Sequence, residues 1–242
     1  MRKFLILLSL SGLMVLGGQT DARANPPKMR MEYDPTTLPN MLFAARKAMI
    51  ARLTLTDNTL RKLADRGDGY AAWLIAERWR TRGSGVPDAD VAHYYALAAE
   101  TGRIGGLRRL IEMLSDPDFE PGSPRRMDRL ERLIYGYSAL GHLDATMFLA
   151  DAWTVGRPFG DKKSEAVALL SKHPNKDDAE IALALARRLL FDAEDKAGSR
   201  AVARHHLDVA AQSENLSTRL TAVSLLATLR DIDPASSEEG VW

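Results

Sequence analysis

Between Gly67 and Gly102 the apolar positions fall into two helical registers with a turn between them. Ala71, Ile75 and Trp79 stand four residues apart and share one helix face, and small Ala76 beside them lets a neighbouring helix approach closely. The run Gly83-Ser84-Gly85-Val86-Pro87-Asp88 then interrupts the pattern, with Gly83 or Gly85 able to take the positive φ that ends a helix cheaply. Asp88 stands where an N-cap carboxylate would receive the free amides of the next helix. That helix presents Tyr94, Tyr95, Ala98 and Ala99 before Gly102. One such hairpin leaves an apolar face uncovered, so neighbouring hairpins must stack on it.

The pattern recurs. A shift of 74 residues carries Gly67, Ala71, Ile75-Ala76 and Trp79 onto Gly141, Ala145, Leu149-Ala150 and Trp153. A shift of 112 carries Tyr94-Tyr95 and Ala98-Ala99 onto His206-Leu207 and Ala210-Ala211. Both are near multiples of 37, a period typical of stacked helical hairpins. Ahead of the repeats, helices are predicted around Asn40 to Leu53 and Asp57 to Arg66, with Leu60, Leu63 and Ala64 as the inner face of a cap. Ser115 to Arg126, with three prolines, a glycine and acidic residues, reads as an enlarged inter-helix loop.

The constellation Ala71, Ile75-Ala76, Trp79, Gly83-Ser84-Gly85-Val86, Asp88, Tyr94-Tyr95, Ala98-Ala99, Gly102 resembles the Sel1-like repeat, a tetratricopeptide-like family. The likeness is good over residues 64 to 110, fair over 139 to 170 and degenerate over 178 to 228. It departs at Lys172-His173-Pro174, which replace the small pair, and in the last copy, which has no Gly-x-Gly turn. The resemblance implies an all-α fold: an α/α solenoid of about four to five helical hairpins over residues 38–231. It also implies an adaptor that holds another protein, such as a periplasmic regulator of envelope signalling or exopolysaccharide production. The partner would then be the periplasmic domain of a sensor kinase or an envelope assembly.

Composition favours helices, since alanine, leucine and arginine dominate the chain. At the amino terminus Arg2 and Lys3 precede an apolar run from Phe4 to Leu16 and the small-residue tripeptide Ala22-Arg23-Ala24. This order predicts a signal peptide over residues 1–24, cleaved after Ala24, and a periplasmic protein with no membrane span after cleavage. Residues 25–37 are Pro-rich and polar and are expected to form an extended or disordered arm, and 232–242 a flexible tail. Removing residues 1–24 leaves 30 basic and 31 acidic side chains, without the basic excess of a nucleic-acid binder. The absence of cysteine excludes disulfides, a thiol nucleophile and cysteine-ligated metal.

The five histidines, His93, His142, His173, His205 and His206, fall in no metal-ligand spacing. No nucleophile elbow or phosphate loop is present, and Gly83-Ser84-Gly85 is read as a turn. Asp116, Asp118 and Glu120 cluster in a loop without partner groups for acid/base work. The expectation is therefore a protein that is not an enzyme and needs no cofactor. Two alternatives belong to other classes: an envelope enzyme or glycan binder acting on peptidoglycan or polysaccharide, and a structural subunit of a secretion or export assembly. Where the repeat leaves the residue free, Trp73, Arg108 and Met147 recur at one register, and such side chains are enriched at interfaces. They are the candidate protein-binding strip, on a face expected to be concave, while Trp79 and Trp153 are assigned to the core.

Overall fold

The computed structural model describes residues 33–82, 85–175, 177–191 and 196–232. The proposed signal peptide, residues 25–32 of the arm, Gly83-Ser84 and the tail from residue 233 lie outside the described residues. Helices α1 (Asn40–Ile50) and α2 (Asp57–Ala64) begin the stack. Four pairs follow: α3 (Gly69–Arg82) with α4 (Asp88–Glu100), α5 (Ile104–Leu114) with α6 (Pro124–Ala139), α7 (Leu143–Val155) with α8 (Lys163–Ser171), and α9 (Ala179–Phe191) with α10 (Lys196–Ala210). Helix α11 (Leu216–Ile232) closes it, and no strand occurs among the described residues. This is an all-α solenoid.

The helices sort into two layers. Helices α3, α5, α7 and α9 form the first, joined by Arg109–Glu77 (3.0 Å), Arg108–Asp144 (3.7 Å) and Arg188–Asp151 across successive helices. Helices α4 and α6 lie side by side in the second, where Arg126–Asp90 (2.6 Å) and Arg129–Glu100 (2.7 Å) tie them together. Small residues set the closeness of the layers: Ala71, Ala72, Ala76, Ala92, Ala96, Ala98 and Ala99 are all fully buried where α3 and α4 meet.

The 74-residue period has a structural signature. The Trp79 indole N–H donates to the Asp57 carboxylate at 3.1 Å, and the Trp153 indole donates to Glu131 at 2.5 Å, each across 22 residues of chain. Asp57 and Glu131 are themselves 74 residues apart, so the whole contact repeats. The turns before α3 and α7 repeat with it, because Gly67 (φ 92) and Gly141 (φ 86) both occupy the left-handed region that favours glycine. The 112-residue shift also holds in the packing, since Ala203, Leu207 and Ala210 are as buried as Val91, Tyr95 and Ala98.

Several local expectations shift. Helix α4 starts at Asp88, one residue early, because the Pro87 carbonyl already accepts from Asp90 and Val91. Asp88 is thus in the first turn, where its charge suits the helix dipole without capping it. Asp68 supplies the cap that was not foreseen: its carboxylate accepts the amides of Tyr70 and Ala71 at 3.0 Å and is held by Arg46 at 2.9 Å. Helix α1 stops at Ile50, short of Leu53, and Arg52 just beyond it takes φ 61. The described end of the arm is not extended throughout, as Asp34 caps a short 3-10 turn over Pro35–Thr37. Trp153 is core, whereas Trp79 is half-buried, with Tyr94 edge-on at 5.3 Å and Arg61 at 5.9 Å from its ring.

The loop 115–123 changes the second hairpin. Helices α5 and α6 scarcely touch, and Phe119 from the loop is buried in the main core. That core runs from Leu38 to Leu185, and a smaller one joins α9, α10 and α11 around Leu207, Ala222 and Leu229. Helix α9 serves both, with Ile181 and Leu185 on one side and Ala182 and Ala186 on the other.

Acid acts on this fold through identifiable groups. Burial holds the imidazoles of His93 and His173 below their ordinary value of 6.5. The unfolded chain takes up protons that these folded imidazoles refuse. Their contribution to stability is complete above that pH and is lost as pH falls towards the folded values. Glu112, held down to about 2 by its bonds to Arg80 and then Arg109, loses its contribution only at lower pH. Urea unfolding should show a midpoint that falls between about pH 7.5 and 5.5, and the His93→Gln/His173→Gln double variant should flatten that decline.

Candidate interaction groove

The face of α5 that carries Gly106, Leu107, Leu110 and Leu114 is buried. Gly106 lies directly on α4, where a Cβ would stand 2.9 Å from the Tyr95 carbonyl oxygen. This fixes the rotation of α5 and leaves Ile111 at its edge. In α7, Ala145, Leu149, Ala152 and Trp153 are buried. Asp144, Met147, Asp151 and Val155, three or four residues apart, then form a second stripe that looks towards α5. Loop 115–123 closes one side. Its Asp116 carboxylate accepts the Asp118 amide at 2.9 Å, a local turn that leaves Asp116 exposed beside buried Phe119.

The result is a groove of about 740 Å³ between α5, α7, the loop and the turn after α7. Its floor is apolar, made by Ile111, Leu114, Phe119, Met147, Phe148 and Val155. Val155, the last residue of α7, is 73% exposed and extends this apolar surface to the turn that follows the helix. Phe148 is steadied by an edge-to-face contact with Phe159 at 6.1 Å. Arg157 donates to the Pro117 carbonyl at 2.5 Å and so fastens the turn to the loop across the groove's end.

Asp116, Asp144 and Asp151 ring this floor. Asp144 faces Arg108, and Asp151 receives Arg188, whose side chain is 10% exposed and whose Nε has no partner among the described residues. Beyond the groove, the first-layer surface continues as a network in which Arg80 and Arg109 both bond Glu112 (2.5 and 2.9 Å), and Arg109 and the Tyr95 hydroxyl both donate to Glu77. Burial first, and then the Glu77 carboxylate, push the Tyr95 phenol well above its usual range. Such a network orients α3 against α5.

The three residues of the candidate strip are each the fifth residue of their helix, in α3, α5 and α7. Their surroundings differ. Met147 is half-buried and lines the groove. Arg108 is exposed and its guanidinium turns to Asp144 on the groove's rim. Trp73 is half-buried against the main core and lines no part of the groove. Ile111, Phe119, Val155 and the acidic rim were not anticipated. The only signal for Phe119 was a single aromatic in an otherwise polar loop.

Among the described residues, no group of three or more histidine, aspartate or glutamate side chains could hold a metal ion, and no helix is long and apolar enough to cross a membrane. No family model matches the chain, nor does any curated protein or solved structure.

Proposed function

We propose that this is an exported helical-repeat protein of the Sel1-like kind that binds a segment of another protein along its first layer. It would act in the periplasm as a regulatory or assembly module. The observation that carries the reading is the groove, whose apolar floor is shared by two successive first-layer helices and a loop built on them. Interfaces are made by apolar centres with polar rims, and this groove has that composition. Binding segments of partners is also the common use of stacked hairpins, whose extended surfaces exceed what any single hairpin offers. Export rests on residues 1–24, and the family reading rests on the repeat positions quoted above.

A photo-crosslinking residue placed at Met147 or Val155 in living cells should give one discrete adduct. The same residue at Asp128 on the second layer should give none. If groove and control positions capture the same products, the groove is not the binding surface. Release of soluble fragments from peptidoglycan by the purified mature chain would replace the adaptor reading with an enzymatic one.

A further inference from the structure

The second layer carries a different chemistry. Helix α6 places Arg125, Arg129 and Arg132 at i, i+4 and i+7 on one face, with Arg126 beside them. Together with His93 of α4 and Ser123 they line a cleft of about 530 Å³ that has no carboxylate in its wall. Arg126 and Arg129 are anchored to Asp90 and Glu100 on α4, which holds them in place. No carboxylate among the described residues pairs with Arg125 or Arg132.

That is unlike the first layer, where Arg80, Arg108, Arg109 and Arg188 each meet an acid on a neighbouring helix. Arg126 and Arg129 are offset by their own acids, but Arg125 and Arg132 are not, so an anion entering the cleft meets two uncompensated guanidinium groups beside two that are held in place. The positive end of α6 adds to the field. Ser123 precedes it with no side-chain cap bond, and this helix is 16 residues long. His93 reports the same field from the other wall. Its imidazole is held down by burial first and then by Arg129 and Arg126, against the opposing pull of Asp65 behind it and Glu100 on its own helix.

A guanidinium fork matches the edge of a tetrahedral oxyanion. Seven residues of helix advance about 10 Å, so Arg125 and Arg132 are spaced for more than one such group. We propose that the cleft between α4 and α6 binds a ligand carrying two or more phosphate or sulfate groups. This site is independent of the groove on the first layer.

Calorimetric titration of the mature protein with inorganic tripolyphosphate and with sucrose octasulfate, in about 0.15 M chloride, tests it and shows which oxyanion is preferred. At least one should bind saturably at one site, with orthophosphate at matched ionic strength about tenfold weaker. Arg125→Ala/Arg132→Ala should weaken binding about tenfold or more with an unchanged melting temperature, since both side chains are exposed. Arg66→Ala/Arg82→Ala, which removes the same charge elsewhere, should leave it intact. Ligand should also raise the His93 pKa measured by NMR, because it neutralises the arginines that hold that imidazole down. The proposal is overturned if neither probe binds, if orthophosphate binds as well as both, or if the distant arginine pair matters as much as the cleft pair.

Discussion

Trp153→Ala lowers the free energy of unfolding by about 3–5 kcal/mol, the range for truncating a buried tryptophan. The ring is only 6% exposed, lies 6.3 Å from Tyr135, and has the Lys162 ammonium 5.7 Å from its centroid. Its removal opens a void between α6 and α7 and takes away the donor to Glu131. Glu131 keeps Lys162, so the acid is not left stranded, and the loss is chiefly one of packing. For a chain of this size a loss of that order depresses the melting temperature by roughly 10 °C. Trp153→Phe, which keeps one ring but gives up part of the indole volume together with its hydrogen bond, should cost less, about 1–3 kcal/mol. Thermal unfolding followed by circular dichroism separates the cases, and equal losses for Ala and Phe would show that the indole bond, not the packing, dominates. Trp79→Ala should cost less than Trp153→Ala, because the Trp79 ring is half-buried before it is removed.

Two adjacent glycines should respond to the same substitution with opposite signs. A Cβ at Gly106 would stand 2.9 Å from the Ala98 Cβ and the Tyr95 carbonyl oxygen and 3.0 Å from the Ala99 amide nitrogen. Two of these three neighbours belong to the backbone of α4, which cannot swing aside as a long side chain would. Gly106→Ala must therefore push α5 off α4, at about 1–3 kcal/mol. At Gly105 a Cβ meets nothing within 4 Å, so Gly105→Ala keeps only the helix-propensity gain of up to about 1 kcal/mol. Urea denaturation of the two variants measures both. A neutral Gly106→Ala would mean that the contact between α5 and α4 is looser than the geometry states.

The repeat was legible because it is written in spacing. Ala71, Ile75 and Trp79 are four apart whatever surrounds them, and the 74-residue recurrence of Gly67 and Trp79 needs no knowledge of neighbours. Sequence spacing also placed Trp73, Arg108 and Met147 at one register, and all three are the fifth residue of their helix. What it did not convey was which of them meets a groove. That depends on loop 115–123 and on the turn after α7, both of which line the groove together with α7, while no residue of α3 does. The burial of Phe119 likewise follows from the gap between α5 and α6, a tertiary fact with no local pattern. The cap at Asp68 could have been read from an acid placed just before an apolar helix. The arginines of α6 stood in view as Arg125 and Arg126, but they were assigned to the end of a loop, because Pro124 is equally compatible with a loop and with the first residue of a helix.

The recurring indole–carboxylate contact has a consequence for chain length. Excising residues 67–140 would join Arg66 to Gly141 and bring Trp153 to the same 22-residue distance from Asp57 that Trp79 now has. Gly141 would end the turn that Gly67 ends, and α7 would follow α2 as α3 does. In register, then, the repeat unit is a block of four helices: its removal restores the glycine turn and the indole–carboxylate spacing but not the cap, since His142 stands where Asp68 does and makes no side-chain cap bond.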